Sequence, residues 1–268
     1  MLLLRVITAS IFAPLVIFAV IALEKLGFSL ALAIIFIIAL WEFSTLAKLK
    51  SLTAKVAYIF AIIGITFFLI DKTLALLPIL IASFVWWLIA LYWIVVFPRS
   101  SNYINKNLFV ILINGLFLFT PAALSLIALH MNNNYLVLLL FGLIWAADVG
   151  AYFAGKAIGK TKLSPNVSPK KTVEGLVGGV ILSLIVAGTY VFISLGNPSI
   201  SDYLTYGVLS IIISLASVIG DLFESVLKRL ANVKDSGRLL PGHGGILDRI
   251  DSLTCAAPIF FLFFTYVL

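Results

Sequence analysis

Five acidic side chains, Asp221, Glu224, Asp235, Asp248 and Asp251, share the stretch GDLFESVLKRLANVKDSGRLLPGHGGILDRIDS (220 to 252) of a chain with only 11 acids in 268 residues. Lys228, Arg229, Lys234, Arg238 and Arg249 are interleaved with them, and a glycine-rich run, 241 to 245, surrounds His243. Asp221 and Glu224, three apart, would share a helix face, with Lys228 one turn further on. Carboxylates converging beside lysines and arginines are suitable ligands for Mg²⁺ shared with phosphate oxygens. Asp221 and Asp248 are the expected ligands, with Asp251 beside them for a further shell or a second cation. A solvated loop accounts for any one of these charges, but not for their density in so apolar a chain.

Two shorter groups precede this stretch. In WAADVGAYFAGKAIGKTKLSP, Asp148 lies at membrane depth, where an aspartate costs about 2.5–3.5 kcal/mol unless it lines a polar cavity or meets a partner. Asp148, Tyr152 and Lys156 recur every four residues and would share one helix face; the plainer reading is a structural pair between Asp148 and a lysine. In SPKKTVEG (168 to 175), Ser168 and Pro169 read as the N-cap and first position of a helix. Lys170, Lys171 and Thr172 would then sit in its first turn, adding charge to the positive end of the helix dipole, an arrangement for phosphate. Topology alone would explain the lysines but not the Ser-Pro start. Gly175, Gly178 and Gly179 read as helix packing.

The elements that must position these groups are membrane helices. The chain is 63% hydrophobic and 11% charged, with a mean hydropathy of +1.20; a soluble domain has roughly 25% charged residues. Unbroken apolar runs exclude a transmembrane β-barrel, whose segments alternate over roughly 10 residues. A lone Cys255 and two histidines leave no zinc-type cluster, so any metal must be held by oxygen. Nine spans are expected, at about 6 to 23, 28 to 47, 56 to 70, 74 to 97, 108 to 129, 135 to 153, 175 to 195, 203 to 224 and 253 to 268. Pro14, Pro78, Pro121 and Pro258 fall inside them as kinks, not ends. The first run is followed by Glu24 and Lys25, not a small-residue cleavage site, and reads as a retained span.

With a cytoplasmic N-terminus, strict alternation puts 16 of the 18 basic residues, Lys106 among them, on the cytoplasmic side and leaves only Lys25 and Lys72 outside. The net charge of +7 follows from that bias and from attraction to anionic lipid, and argues for no nucleic-acid partner. The fold expected is an all-α polytopic bundle forming one membrane-embedded unit. Residues 1–140 hold spans one to five. Residues 141–268 form a catalytic region, with spans six to nine and two long cytoplasmic loops, 154 to 174 and 225 to 252. Glu42 is the one acid inside a first-half span. Repeated Gly-interrupted segments, expected of a transporter built from inverted halves, are absent.

Ser225, Lys228, Arg229, Lys234, Asp235, Pro241, His243, Gly244, Gly245, Asp248, Arg249 and Asp251 together resemble the signature of the phosphatidate cytidylyltransferases, or CDP-diacylglycerol synthases. SPKKTVEG and the Asp148 to Lys156 segment also look like that family's motifs, so the resemblance covers roughly residues 145 to 255. It implies conversion of CTP and phosphatidic acid to CDP-diacylglycerol and pyrophosphate, with Mg²⁺ and room for a second cation. The roles it implies are catalytic for Asp221, Asp248, Lys171 and Arg249. Substrate binding falls to Asp148, Ser168, Lys170, Thr172, Glu224, Lys228, Arg229, Lys234, Asp235, His243, Gly244 and Gly245. The expected setting is the inner plasma membrane, with phosphatidic acid in the inner leaflet, the site facing the cytoplasm, and a second copy of the chain allowed as partner. Two acyl chains are held in a bilayer by on the order of 20 kcal/mol at ~0.8 kcal/mol per CH₂, so the catalyst must work where the lipid head lies. The alternatives are a CTP-dependent polyprenol kinase and, from another class, a secondary transporter. A CDP-alcohol phosphotransferase is disfavoured, because its run of aspartates and glycines on adjacent helices is absent.

Overall fold

Each apolar run forms a helix. The computed structural model describes residues 2–70, 72–101, 104, 108–239 and 244–268. Among them the long helices are α1 (Leu2–Ala22), α2 (Lys25–Leu46), α3 (Leu52–Leu69), α4 (Thr73–Val95), α5 (Leu108–Asn132), α6 (Asn134–Ile158), α7 (Val173–Ser194), α8 (Ile200–Ala231) and α9 (Leu247–Tyr266). Seven, α2 to α8, are long and apolar enough to cross a membrane. Pro14, Pro78, Pro121 and Pro258 lie inside helices, as expected. To the all-α expectation the structure adds an antiparallel hairpin of β1 (Lys162–Ser164) and β2 (Ser168–Thr172).

Helix starts follow local chemistry. The side chains of Ser51, Asn133 and Thr172 accept from backbone N–H groups at the heads of α3, α6 and α7, and Ser199 with Asp202 forms a capping box on α8. Left-handed Asn232 ends α8. The helices outrun the apolar spans at their charged ends, because Lys, Arg and Glu are good helix formers once an apolar stretch has nucleated the turn. At 32 residues, α8 is roughly 48 Å long against a hydrocarbon core of about 30 Å. The expected loop 225 to 252 therefore contracts to 232–246, and 154 to 174 to 159–172.

Two sets of contacts sort the helix ends. At one end, His130 Nε2 and Asn134 Nδ2 meet the Val20 carbonyl, and His130 stacks on Phe28 at 4.0 Å. At the other, Lys48 Nζ donates to the Leu230 carbonyl and Asn166 Nδ2 to that of Phe97. Phe60, Phe67, Val95, Phe192 and Ile193 stand exposed on the flanks, as lipid-facing side chains do.

The helices α6 and α7 meet backbone to backbone. A Cβ on Gly178 would overlap that of Ala154 and crowd the Gly150 carbonyl, and one on Gly179 would strike the Ala147 carbonyl, so these glycines are packing positions, as expected. This fixes the hairpin between the two helices. Gly178→Val is expected to lower stability by about 1–3 kcal/mol through overpacking, read as a lower unfolding midpoint in detergent. Gly188→Ala, whose Cβ meets nothing within 4 Å, should leave the midpoint unchanged or slightly raised, alanine being the better helix former, and equal behaviour of the two would contradict this packing.

Candidate active site

The hairpin corrects one expectation. Ser168 and Pro169 do not start α7; they open β2, and Thr172 is the N-cap, its hydroxyl oxygen accepting from Gly175 N at 3.1 Å. Glu174, in the first turn, accepts the backbone N–H groups of Lys160 and Thr161 and ties the hairpin's base to the helix. The physical reason is competition: this pairing and the Thr172 cap satisfy the backbone better than a Ser-Pro start would. In a strand, neighbouring side chains leave opposite faces. Lys170 is therefore exposed, while Lys171 turns inward and its Nζ meets Asp221 Oδ2 at 2.7 Å. Thr172 is buried as a cap, not open to a ligand.

Lys228 is the hub of a second group. Its ammonium contacts Glu224 Oε2 on the same helix and Asp248 Oδ1, at 2.6 Å, in the first turn of α9. These side chains are 12%, 1% and 7% exposed, so the trio is buried. The second Asp248 oxygen, Oδ2, accepts from Ser236 N, Ser236 Oγ and Gly245 N at 2.8–2.9 Å. That oxygen is saturated, and Oδ1, shared with Lys228, is the one left to face a ligand. Gly244 adopts a left-handed φ of 81°, and a side chain there would press on Asp248 Oδ2. Between Asp221 and Glu224, the Phe223 ring is wedged among Trp86, Trp87 and Trp93 of α4, at 5.1, 5.9 and 6.4 Å.

The two groups lie within electrostatic range of each other. Asp148 lies within electrostatic range of Lys171, Asp221 and Arg249, and Asp251 of Asp221, Asp148 and Lys228. Asp148 keeps an exposed surface beside these groups. Its charged neighbour is Lys171, while Lys156 lies over the Tyr152 ring at 5.9 Å. Where α8 crosses α9, Gly220 abuts the Asp251 carbonyl. Asp221 also accepts from Ser225 Oγ at 3.3 Å. Among the described residues no three His, Cys, Asp or Glu side chains form a group able to hold a metal by themselves. Magnesium ordinarily keeps several waters and takes one or two carboxylates with substrate phosphates. Partly exposed Asp221, with Asp148 and Asp251 close by, fits that demand.

The remaining expected residues lie around these groups or are undescribed. Arg229 Nε donates to the Val167 carbonyl and pins the hairpin turn to α8. Lys234 and Asp235 project, exposed, from the connection. His243, with Pro241 and Lys106, lies outside the described residues. Sequence reasoning left out Ser236 and Glu42. The buried carboxylate of Glu42 reaches from α2 to Ser236 Oγ and to the backbone N–H groups of Ile246 and Leu247. The available signal was that Glu42 is an acid inside an apolar span.

A bundle of seven helices long and apolar enough to cross a membrane, with Lys171, Asp221, Glu224, Lys228 and Asp248 paired at one end, defines an integral membrane protein with a charged site. The chain belongs to the cytidylyltransferase family, whose pattern it matches over residues 3–267. It is 35% identical to the phosphatidate cytidylyltransferase of Haemophilus influenzae, over 98% of this chain and 99% of that one. To the phosphatidate cytidylyltransferase of Pseudomonas aeruginosa it is 37% identical, over 96% and 94%. The Bacillus subtilis protein of the same name is 47% identical over 47% of this chain and 45% of its own length.

The two lysines should separate stability from accessibility. Lys228→Met strands two buried carboxylates and should cost about 3–5 kcal/mol. Lys171→Met breaks a pair whose side chains are 25% and 31% exposed and should cost under about 1 kcal/mol. Unfolding of each variant in mixed detergent checks this, and equal losses would contradict the difference in burial.

Proposed function

We propose that this chain transfers the cytidylyl group of CTP to phosphatidate, giving CDP-diacylglycerol and pyrophosphate for phospholipid synthesis. The observation that carries the reading is a family match running through nearly the whole chain, together with relatives of that name. A recess between the charged groups at one end of α6, α8 and α9 would give the reaction a place.

In the reaction a phosphatidate oxygen attacks the α-phosphorus of CTP. A new P–O bond forms, the bond from that phosphorus to the α,β-bridging oxygen breaks, and pyrophosphate leaves with the electron pair. A phosphate monoester, with a second pKa near 6, is already largely dianionic at about pH 7, so the nucleophile needs little help from a general base. The difficulty is repulsion between two anions. Lys171 and Arg249 border the recess, and Lys228 stands behind it, where their charge offsets that repulsion. Lys171 is already bonded to Asp221, which fixes its ammonium before substrate arrives. Asp221 and Asp248, the latter through Oδ1, would hold Mg²⁺ together with the substrate phosphates, with Asp251 beside them for a further shell or a second cation. When bound, the ion supplies neutralisation of the triphosphate charge.

The same proposal has nine spanning helices and a cytoplasmic N-terminus. The recess then opens to the cytoplasm for CTP and sideways to the inner leaflet of the plasma membrane for phosphatidate. The positive-inside bias of the loops supports this orientation.

Purified protein given phosphatidate and CTP labelled in the α or γ phosphate provides the test. The α label is expected in lipid and the γ label in released pyrophosphate; γ label in lipid would mean a kinase instead. Asp221→Asn should lower kcat/KM by about 100-fold or more, the scale of losing one preorganised electrostatic group, with the folded bundle retained. Normal turnover in that variant would remove Asp221 from the site.

A further inference from the structure

The buried acid Glu42 is not used by the chemistry above. It belongs to α2, in the half of the chain that the sequence motifs do not cover, and is 7% exposed. One carboxylate oxygen, Oε1, accepts from Ile246 N at 3.1 Å, and the other, Oε2, from Leu247 N at 2.8 Å and Ser236 Oγ at 3.0 Å. The helix α9 begins at Leu247 with no side-chain cap of its own. Glu42 therefore serves as that cap from another helix, an anion against the positive end of a helix dipole. Its fit is close: a Cβ at either Gly237 or Gly245 would overlap its carboxylate. The Ser236 hydroxyl lies 3.0 Å from Glu42 Oε2 and 2.9 Å from Asp248 Oδ2. Its single proton can serve only one of them at a time. An unbroken chain of polar contacts then runs from Glu42 through Ser236 and Asp248 to Lys228 and Glu224.

We propose that Glu42 is a positioning residue for the nucleotide: it clamps Ser236 and the head of α9 so that Asp248 and Lys228 stand correctly for CTP. Burying a carboxylate costs several kcal/mol unless it is fully bonded, and an apolar residue could pack α2 as well. The satisfied bonds on Glu42 instead hold the one connection that carries Lys234 and Asp235 and leads into Asp248. The role rests on the transferase reading, but the clamp is geometric and can be measured without turnover.

The experiment compares wild type with Glu42→Gln, Glu42→Ala and Gly237→Ala in detergent. Gly237→Ala crowds the clamp while keeping the acid. Hydrogen exchange is read at 236 to 247, and KM for CTP and for phosphatidate in steady state. For Glu42→Ala, exchange at Ile246 and Leu247 should quicken at least tenfold, with the far ends of α5 and α6 unchanged. KM for CTP should rise about tenfold, the scale expected of displaced positioning groups, while KM for phosphatidate stays within about twofold. Glu42→Gln, keeping one acceptor, should fall between wild type and Glu42→Ala, and Gly237→Ala should shift both readouts in the same direction. Loss of folded enzyme alone lowers the maximal rate and leaves KM unchanged, so that pattern would overturn the proposal. Unchanged exchange in Glu42→Ala would overturn it too. A wild type that forms no CDP-diacylglycerol but shows the exchange difference would retain the clamp and refute the transferase reading instead.

Discussion

A nucleotide triphosphate cannot cross about 30 Å of hydrocarbon, and a lipid with two acyl chains cannot cheaply leave it. Whatever joins them must keep its charged groups at one end of an otherwise apolar bundle, and most of the structure follows from that constraint. Charge in a membrane bundle survives where it is paired or faces a polar cavity. Here Lys228 neutralises Glu224 and Asp248, and Lys171 meets Asp221. Asp221, Glu224 and Lys228 stand on the last turns of the long α8, so these polar residues ride on a stiff helix instead of a loop.

The first half of the chain supplies more than membrane anchorage. Trp86, Trp87 and Trp93 of α4 grip Phe223, the residue between Asp221 and Glu224 on the same helix. Lys48, beyond α2, caps the carbonyl of Leu230 near the end of α8. Glu42 closes the head of α9. Three first-half contacts thus fix three separate parts of the second-half site. This physical link agrees with a family match that spans both halves.

The sequence made the helices legible because an apolar run of about 20 residues has no other stable fate in a bilayer. Their ends were less so, since hydropathy falls where charge begins, yet Glu224, Lys228 and Asp248 continue the helices by pairing with one another. Asp221, Lys171, Asp148 and Asp251 were legible singly, in three separate segments, because charge is rare in this chain. Their partners were not. Ser168 looked like a cap until the hairpin took it, and nothing local in the sequence separates Lys170, which faces outward, from Lys171, which meets Asp221. Glu42 was visible as an anomaly, but its partners lie some 200 residues away, with separations of 194, 204 and 205, and only the fold brings them together.

That the charged end of the bundle faces a single aqueous phase is the central claim, and sidedness tests it most directly. The variants are Val233→Cys, at an exposed position in the α8–α9 connection, and Asn197→Cys, exposed between α7 and α8 at the opposite end. Each is made in a Cys255→Ala background and treated with a membrane-impermeant maleimide in vesicles of either orientation. The arrangement described here predicts that the thiol at 233 reacts only from the cytoplasmic side and the thiol at 197 only from the outer side. Reaction of both from the same side, or of the thiol at 233 from the outer side, would contradict it.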